Sequence, residues 1–570
     1  MADRLRIARL VLRRGVAGAL RQSVLTLKAL LPRLPRGRPE TVNVAPQDLR
    51  TADPTVATEI YSGYFSLAGK VVAASGRSPF ELDPPSQAWQ EELHGFGWLR
   101  HLGAADSALA RANARALIED WIRLYGRGDG WTCDLVARRL IAWLTQSPLI
   151  LTGADRDFYY RFMRAMARQT AWLEKAIHRS GPCTSQLRGA IALAYVGLCT
   201  TGAPSLIRRA SALLSQTLDR QILPDGGHIS RNPALLIEFL ADLLPLRQIY
   251  AAQGVDAPQA LLNAIDRMMP MLRLFRHGDG HLALFNGMGA TPPDLLATLL
   301  SYSDPRAQPI ENAVHSGYQR MQAQGSVLIM DAGTPPPEAF SGQAHAGCLS
   351  FELSDGPYRL IVNCGAPPPN QEARRQIARQ TAAHSTISLG GQSSCRFLDG
   401  QGPGASMAAR LGFPIIAGPK HVPVARAANS AGLSMRASHD GWRATFGIDH
   451  ERRLALAHDG SRLVGEDVFT TVQQGRLGPE GGPFVLRFHL HPSVQADPAG
   501  DGHAIALTLP SGEIWRFTCE GHAAQIEDSI SFAAPDGSRP SRMIVINGRV
   551  AETNSLRWSF VRREMDVQPF

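Results

Sequence analysis

The periodicity of apolar residues changes once along the chain, and that change constrains the fold more than any other feature. From about residue 88 to residue 310 apolar residues recur three and four apart, as in "DSALARANARALIEDWIRLYG", "RDFYYRFMRAMARQTAWLEKAIHRSG" and "NPALLIEFLADLLPLRQIY". That spacing lines them along one face of an α-helix. Beyond about residue 325 the runs shorten and alternate, as in "GSVLIMDAG", "GCLSFELSD", "FVLRFHLHPSV" and "RMIVING", with Gly, Asp, Asn and Pro turns between them. Period two is the mark of strands. The chain therefore reads as α+β and multidomain: helical hairpins, stacked as a solenoid or closed into a toroid, then an antiparallel β-sandwich. The cleft between the two parts is the first place to seek a site.

At 570 residues the chain exceeds one ordinary core. Its 59 Lys and Arg outnumber 50 Asp and Glu, a net charge of +9 that suits an anionic partner: polysaccharide, nucleic acid or lipid surface. Nucleic acid is not expected, because no helix-turn-helix, basic region or aromatic RNA-binding phrase is present. Seven scattered cysteines without CxxC spacing argue against a disulfide framework and a classical structural zinc site. In residues 1–50 arginines interrupt Leu, Ile and Val at helical spacing. An export signal would have a clean apolar run, so this reads as an amphipathic helix, packed on its own protein or in peripheral contact with an acidic membrane. A cytoplasmic or inner-membrane-associated location follows.

Five phrases resemble the heparinase II/III-like family of polysaccharide lyases: "LHGFGWLRHLG" at 93–103, "QILPDGGHISRNP" at 221–233, "GQAHAGCLSFEL" at 342–353, "AAHSTISLGG" at 382–391 and "RFHLHPSV" at 487–494. The resemblance implies an incomplete α/α toroid over residues 51–315, a β-sandwich over 316–570, and β-elimination on a uronic-acid polysaccharide without any required cofactor. It also implies a periplasmic or envelope setting, in contrast to the N-terminus. Such chemistry needs a group that neutralises the uronate, a base for C5 and an acid for the leaving oxygen.

His345 falls in the family's His-Ala-His-Ala-Asp run, where this chain has Gln343, Ala344, His345, Ala346 and Gly347. The second histidine is present; the first histidine and the aspartate are not. By resemblance the catalytic candidates are His228, Tyr302 and His345, and the substrate-binding candidates are Arg231, Asn232, Asn286 and His94. Ser230 or Asn232 also reads as a cap for the helix opening at Pro233, and Trp98 as core. The resemblance further implies a possible structural zinc site from His345, Asn363 and His384. Cys364 substitutes for the missing carboxylate only if it shares a face with them, and neighbouring strand residues point to opposite faces. A metal-free, hydrogen-bonded cluster of the same residues is the alternative. Loss of the first histidine, and "GPCTSQLRG" where relatives carry an Asn-His pair, leave a second functional reading open: a degenerate member that binds an anionic glycan.

Overall fold

The computed structural model describes residues 37–398, 408, 411–472, 482–500, 504–534 and 536–563. The basic amphipathic segment therefore lies, up to residue 36, outside the described residues. Among them, seven helices have 13 residues or more: α1 (Ala108–Tyr125), α2 (Cys133–Thr145), α3 (Arg156–Arg179), α4 (Thr184–Cys199), α5 (Pro204–Gln221), α6 (Ala234–Ala252) and α7 (Gln259–Leu274). Side-chain oxygens of Ser107, Thr132 and Asp155 accept backbone N–H groups at the starts of α1, α2 and α3, satisfying donors that a helix cannot satisfy itself.

Two classes of helix divide the layers. α3, α5 and α7 bury one stripe each. In α4 every residue from Leu187 to Cys199 is buried, and α6 is likewise apolar almost all round. Helices without a polar face must be enclosed, so α4 and α6 form the inner layer of a toroid and the amphipathic helices its outer layer. Residues 37–50 run extended across it, with Asn43 N–H donating to Cys199 O at 2.9 Å and Arg50 paired to Asp242 at 2.8 Å.

The remainder forms two antiparallel sheets. One has eight strands in the order 424–429, 432–439, 448–457, 462–471, 555–562, 514–519, 504–508, 495–499. The other has nine, in the order 524–531, 539–549, 483–490, 358–362, 351–355, 326–331, 318–323, 312–313, with 387–389 pairing the 483–490 strand. Phe351, Phe488, Trp515, Phe517, Trp558 and Phe560 fill the space between the sheets.

The strand after His345 differs from the alternation read in its sequence. It spans Phe351–Asp355, later than the apolar alternation suggests, and all five residues are buried. Its polar face meets the helical domain instead of water. Glu352 there accepts from Leu284 N–H at 3.0 Å and lies 3.1 Å from His277 Nε2, so a strand that reads as half-solvated is covered on both sides.

Candidate active site

The loop between α5 and α6 folds back as a tight turn, with Leu223 N–H donating to Gly227 O at 2.8 Å. Gly226 has φ +87°, and a Cβ there would stand 2.0 Å from Arg267 O. Only glycine fits. Asp225 then ties the loop to the sandwich, accepting from His315 N–H at 2.8 Å and Ser316 N–H at 2.6 Å. Arg231 follows at φ +62°, an unusual backbone state for a non-glycine residue, held by what its side chain does. Its Nε donates to Ser316 O at 2.7 Å, Nη1 to Gly333 O at 3.2 Å and Thr334 O at 3.0 Å, and Nη2 pairs with Asp331. The guanidinium also lies over the Tyr318 ring, 4.8 Å from its centroid.

Asn286, buried at φ +46°, is the hub between this knot and His345. Its Nδ2 donates to Tyr318 Oη at 2.6 Å and Asp331 Oδ2 at 2.9 Å, while its Oδ1 accepts from His345 N–H at 3.1 Å. From behind, Arg379 donates to Ala344 O at 2.8 Å and Ser341 O at 3.0 Å. The backbone carrying His345 is thus pinned from both sides.

The imidazole has a determined tautomer. His384 Nδ1 lies 2.8 Å from Gln380 O, and a carbonyl only accepts, so Nδ1 carries the proton and Nε2 is a lone pair. His345 Nδ1, 3.0 Å from that lone pair, is the donor. The lone pair of neutral His345 is therefore on Nε2, the ring atom with no partner among the described residues, on a side chain 6% exposed. Burial, then His384, Arg379 and Arg375, push the His345 pKa well below its ordinary value. Burial likewise brings His384 down to about 4. Arg375 was not among the residues singled out from the sequence. Its side chain is 23% exposed and paired to Glu372 at 2.7 Å, and it is the more exposed of the two arginines acting on His345; the basic run "EARRQIAR" was its only signal.

Residues 305–559 match the family described as Heparinase II/III-like, C-terminal. The chain is also 32% identical over 550 residues to FtsZ-localized protein C of Caulobacter vibrioides (strain NA1000 / CB15N), covering 94% of this chain and 92% of that protein. The chain belongs to the heparinase II/III-like family. Its fold is that of heparinase III, with a TM-score of 0.68 at 14% identity over 97% of this chain and 90% of that one. A mutant of heparan sulfate lyase HepC from Pedobacter heparinus superposes with a TM-score of 0.62 at 13% identity, covering 99% and 91%.

Within this heparinase-like frame several candidates are put to other uses than expected. Arg231 is no free carboxylate clamp, since Nε, Nη1 and Nη2 are all engaged in the knot. His228 is buried, its Nδ1 accepting from Ser230 N–H at 3.1 Å and its Nε2 3.2 Å from Gln221 Oε1, and burial together with Arg188 lowers its pKa to about 3; both nitrogens are spent. Tyr302 lies at the end of the helix Pro293–Leu300 with its hydroxyl 3.4 Å from Gln47, in hydrogen-bond contact with none of the His345 network. Asn232 caps α6, accepting from Ala234 N–H at 2.9 Å, and reaches Gln343 Oε1 at 3.1 Å, so it edges the seam. His94 is a core residue, accepting from Trp121 Nε1 at 3.1 Å and lying edge-on to Phe80 and Tyr125. Trp98 is core, as expected.

The residues that the family resemblance implies for zinc do not form a zinc site. His345 and His384 spend their facing nitrogens on each other. The Asn363 amide is used at both ends, donating to Glu352 Oε1 at 3.1 Å and accepting from Ser385 N–H at 3.0 Å. Cys364 contacts His489 at 3.5 Å instead, and burial pushes its thiol up to about 12, far from a thiolate. Gly347 stands where the family carries aspartate, and a Cβ there would meet His384 Cδ2 at 2.7 Å. Among the described residues no group of three His, Cys, Asp or Glu is poised to hold a metal ion. His345 and His384 bond to each other, while Asn363 is tied to Glu352 and Ser385 and to neither histidine.

Proposed function

We propose that the chain acts on an acidic, uronate-containing polysaccharide by β-elimination at the helical–sandwich seam, with His345 as the base. The observation that carries this reading is the relay from Gln380 O through His384 to His345, which fixes one tautomer and leaves one lone pair on Nε2. That is how a general base is oriented. Arg375 supplies a planar cation for the uronate carboxylate. His345 takes the C5 proton, the electron pair forms the C4–C5 double bond, and the C4–O bond breaks; the leaving oxygen takes its proton back from the imidazolium. This route needs neither His228 nor Tyr302.

The test is the ultraviolet absorbance of unsaturated uronate, with purified protein on heparan sulfate, chondroitin, hyaluronan and alginate, and His345→Ala beside wild type. A signal on one polymer, lowered about 10²- to 10⁴-fold in the variant, is expected for loss of a positioned base. Silence on every polymer with binding retained overturns the elimination and leaves the glycan-binding reading.

A second reading rests on the 32% identity over 94% of the chain: we infer that this protein, like the relative so named, localises with FtsZ. A fluorescent fusion coinciding with FtsZ supports it, and a diffuse distribution overturns it.

A further inference from the structure

A second cleft, of about 530 Å³, opens in the helical domain between the start of α2, the last turns of α3 and the start of α4. Its volume falls within the roughly 300–1,000 Å³ typical of small-molecule sites. One wall is aromatic. Trp131 stacks on Trp121 (centroids 6.1 Å apart, planes 16° apart), donates from Nε1 to Tyr125 O at 3.0 Å, and meets Trp172 at 84° and 5.6 Å. Trp131 is therefore clamped, whereas Trp172 is half-buried and its indole N–H has no partner among the described residues.

The other wall is cationic. Lys175 and Arg179 both line the cleft, both are exposed, and neither makes an ion pair among the described residues. They sit four apart on one helix face, where like charges repel, and a bound anion relieves that repulsion. Asp134, the acid in the lining, is already paired with Arg138 at 2.7 Å and with Arg188, so the cleft keeps a positive balance. Cations at the end of α3 complement the helix dipole, but that does not explain a clamped indole beside an open one in the same cleft.

The cleft is also joined to the seam. Cys183 O, just before α4, accepts from Gln221 Nε2 at 3.0 Å, and Gln221 Oε1 meets His228 of the loop that carries Arg231.

We propose that this cleft is a subsite for one anionic sugar residue, its apolar C–H face packed on Trp172 and its carboxylate held by Lys175 and Arg179. The proposal deepens the acidic-polysaccharide reading and rests on it for the polymer to which that sugar belongs.

The experiment titrates the full chain with tetrasaccharides of hyaluronan, alginate and polygalacturonate, and with neutral chitotetraose, following tryptophan fluorescence and calorimetry. At least one acidic tetrasaccharide is expected to bind, and chitotetraose at least tenfold more weakly. Lys175→Glu combined with Arg179→Glu, both on exposed positions, should lower affinity at least tenfold without shifting the melting temperature. Trp172→Ala should do the same, and Trp172→Phe, which keeps a ring face, should retain binding. Equal affinity for the neutral sugar, an undiminished affinity in the charge-reversal variant, or no binding of any acidic tetrasaccharide overturns the subsite. The two proposals fail separately: binding lost in the charge-reversal variant while no polymer is ever cleaved sinks the elimination alone, and cleavage with affinity unaltered in that variant sinks the subsite alone.

Discussion

Two histidine pairs in the β domain have nearly the same shape and opposite surroundings. His345 and His384 meet with centroids 5.1 Å apart and planes at 79°; His439 and His450 meet at 5.3 Å and 90°. The first pair runs outward from the Gln380 carbonyl and ends in a lone pair at the seam. The second runs inward. His450 Nε2 lies 2.7 Å from Asp467, which Arg452 grips at 2.8 and 3.0 Å and Trp558 reaches at 2.8 Å. Its spare atoms, His450 Nδ1 and His439 Nε2, are buried without a partner among the described residues, as is Trp442 Nε1 beside them. The same side-chain pair thus leaves a lone pair for the proposed base in one place and forms a sealed core network in the other. What separates them is the group behind the pair, a neutral carbonyl or an ion pair, and where the unused nitrogen points.

Acidification strains both pairs and has the largest expected effect. Burial holds His94 and His384 near 4 and His228 near 3, below the roughly 6.5 of an unfolded histidine. The unfolded chain then binds more protons below that pH, so stability is complete above about 6.5 and falls as pH drops toward 4. The slope is roughly 1.4 kcal/mol per pH unit for each such histidine, or about 2 kcal/mol each between pH 7 and pH 5. Urea melts at the two pH values measure it; an unchanged midpoint would show that these imidazoles are open to water.

Asp467→Ala breaks the inner pair alone. Removing the acid leaves Arg452 charged and fully buried, a defect costing about 3–5 kcal/mol, read as a lowered melting temperature with any activity on polysaccharide falling only as far as folding does. Gly347→Ala attacks the outer pair. The new methyl displaces the His384 ring, an overpacking of about 1–3 kcal/mol, and here activity should fall further than stability. Equal losses in both variants would erase the distinction between the two pairs.

Much of the architecture was legible because it is written in local periodicity. Apolar residues three and four apart marked the helices α3 to α7, but the same spacing did not tell the one-sided stripes of α3, α5 and α7 from the all-round burial of α4 and α6. The Asp225–Pro233 loop also declared itself, through Gly226 and the cap at Asn232. The roles of its charged residues did not. Arg231 reads as a free cation until Asp331 appears beside it, 100 residues further along. Glu352 reads as a solvent-facing strand residue until His277 covers it. Tyr318 was not singled out at all, because nothing adjacent in sequence says that its hydroxyl will hold the Arg231 carbonyl at 2.6 Å.

By itself, then, the sequence determined where helices give way to strands and which faces are apolar, because those depend on neighbours a few residues away and on the cost of leaving apolar surface in water. Only the tertiary structure decided which polar side chains are tools and which are tethers. A buried charge or imidazole must find its partners wherever the fold places them, and His345 keeps a usable nitrogen because His384 and Asn286, distant in the chain, occupy its other contacts.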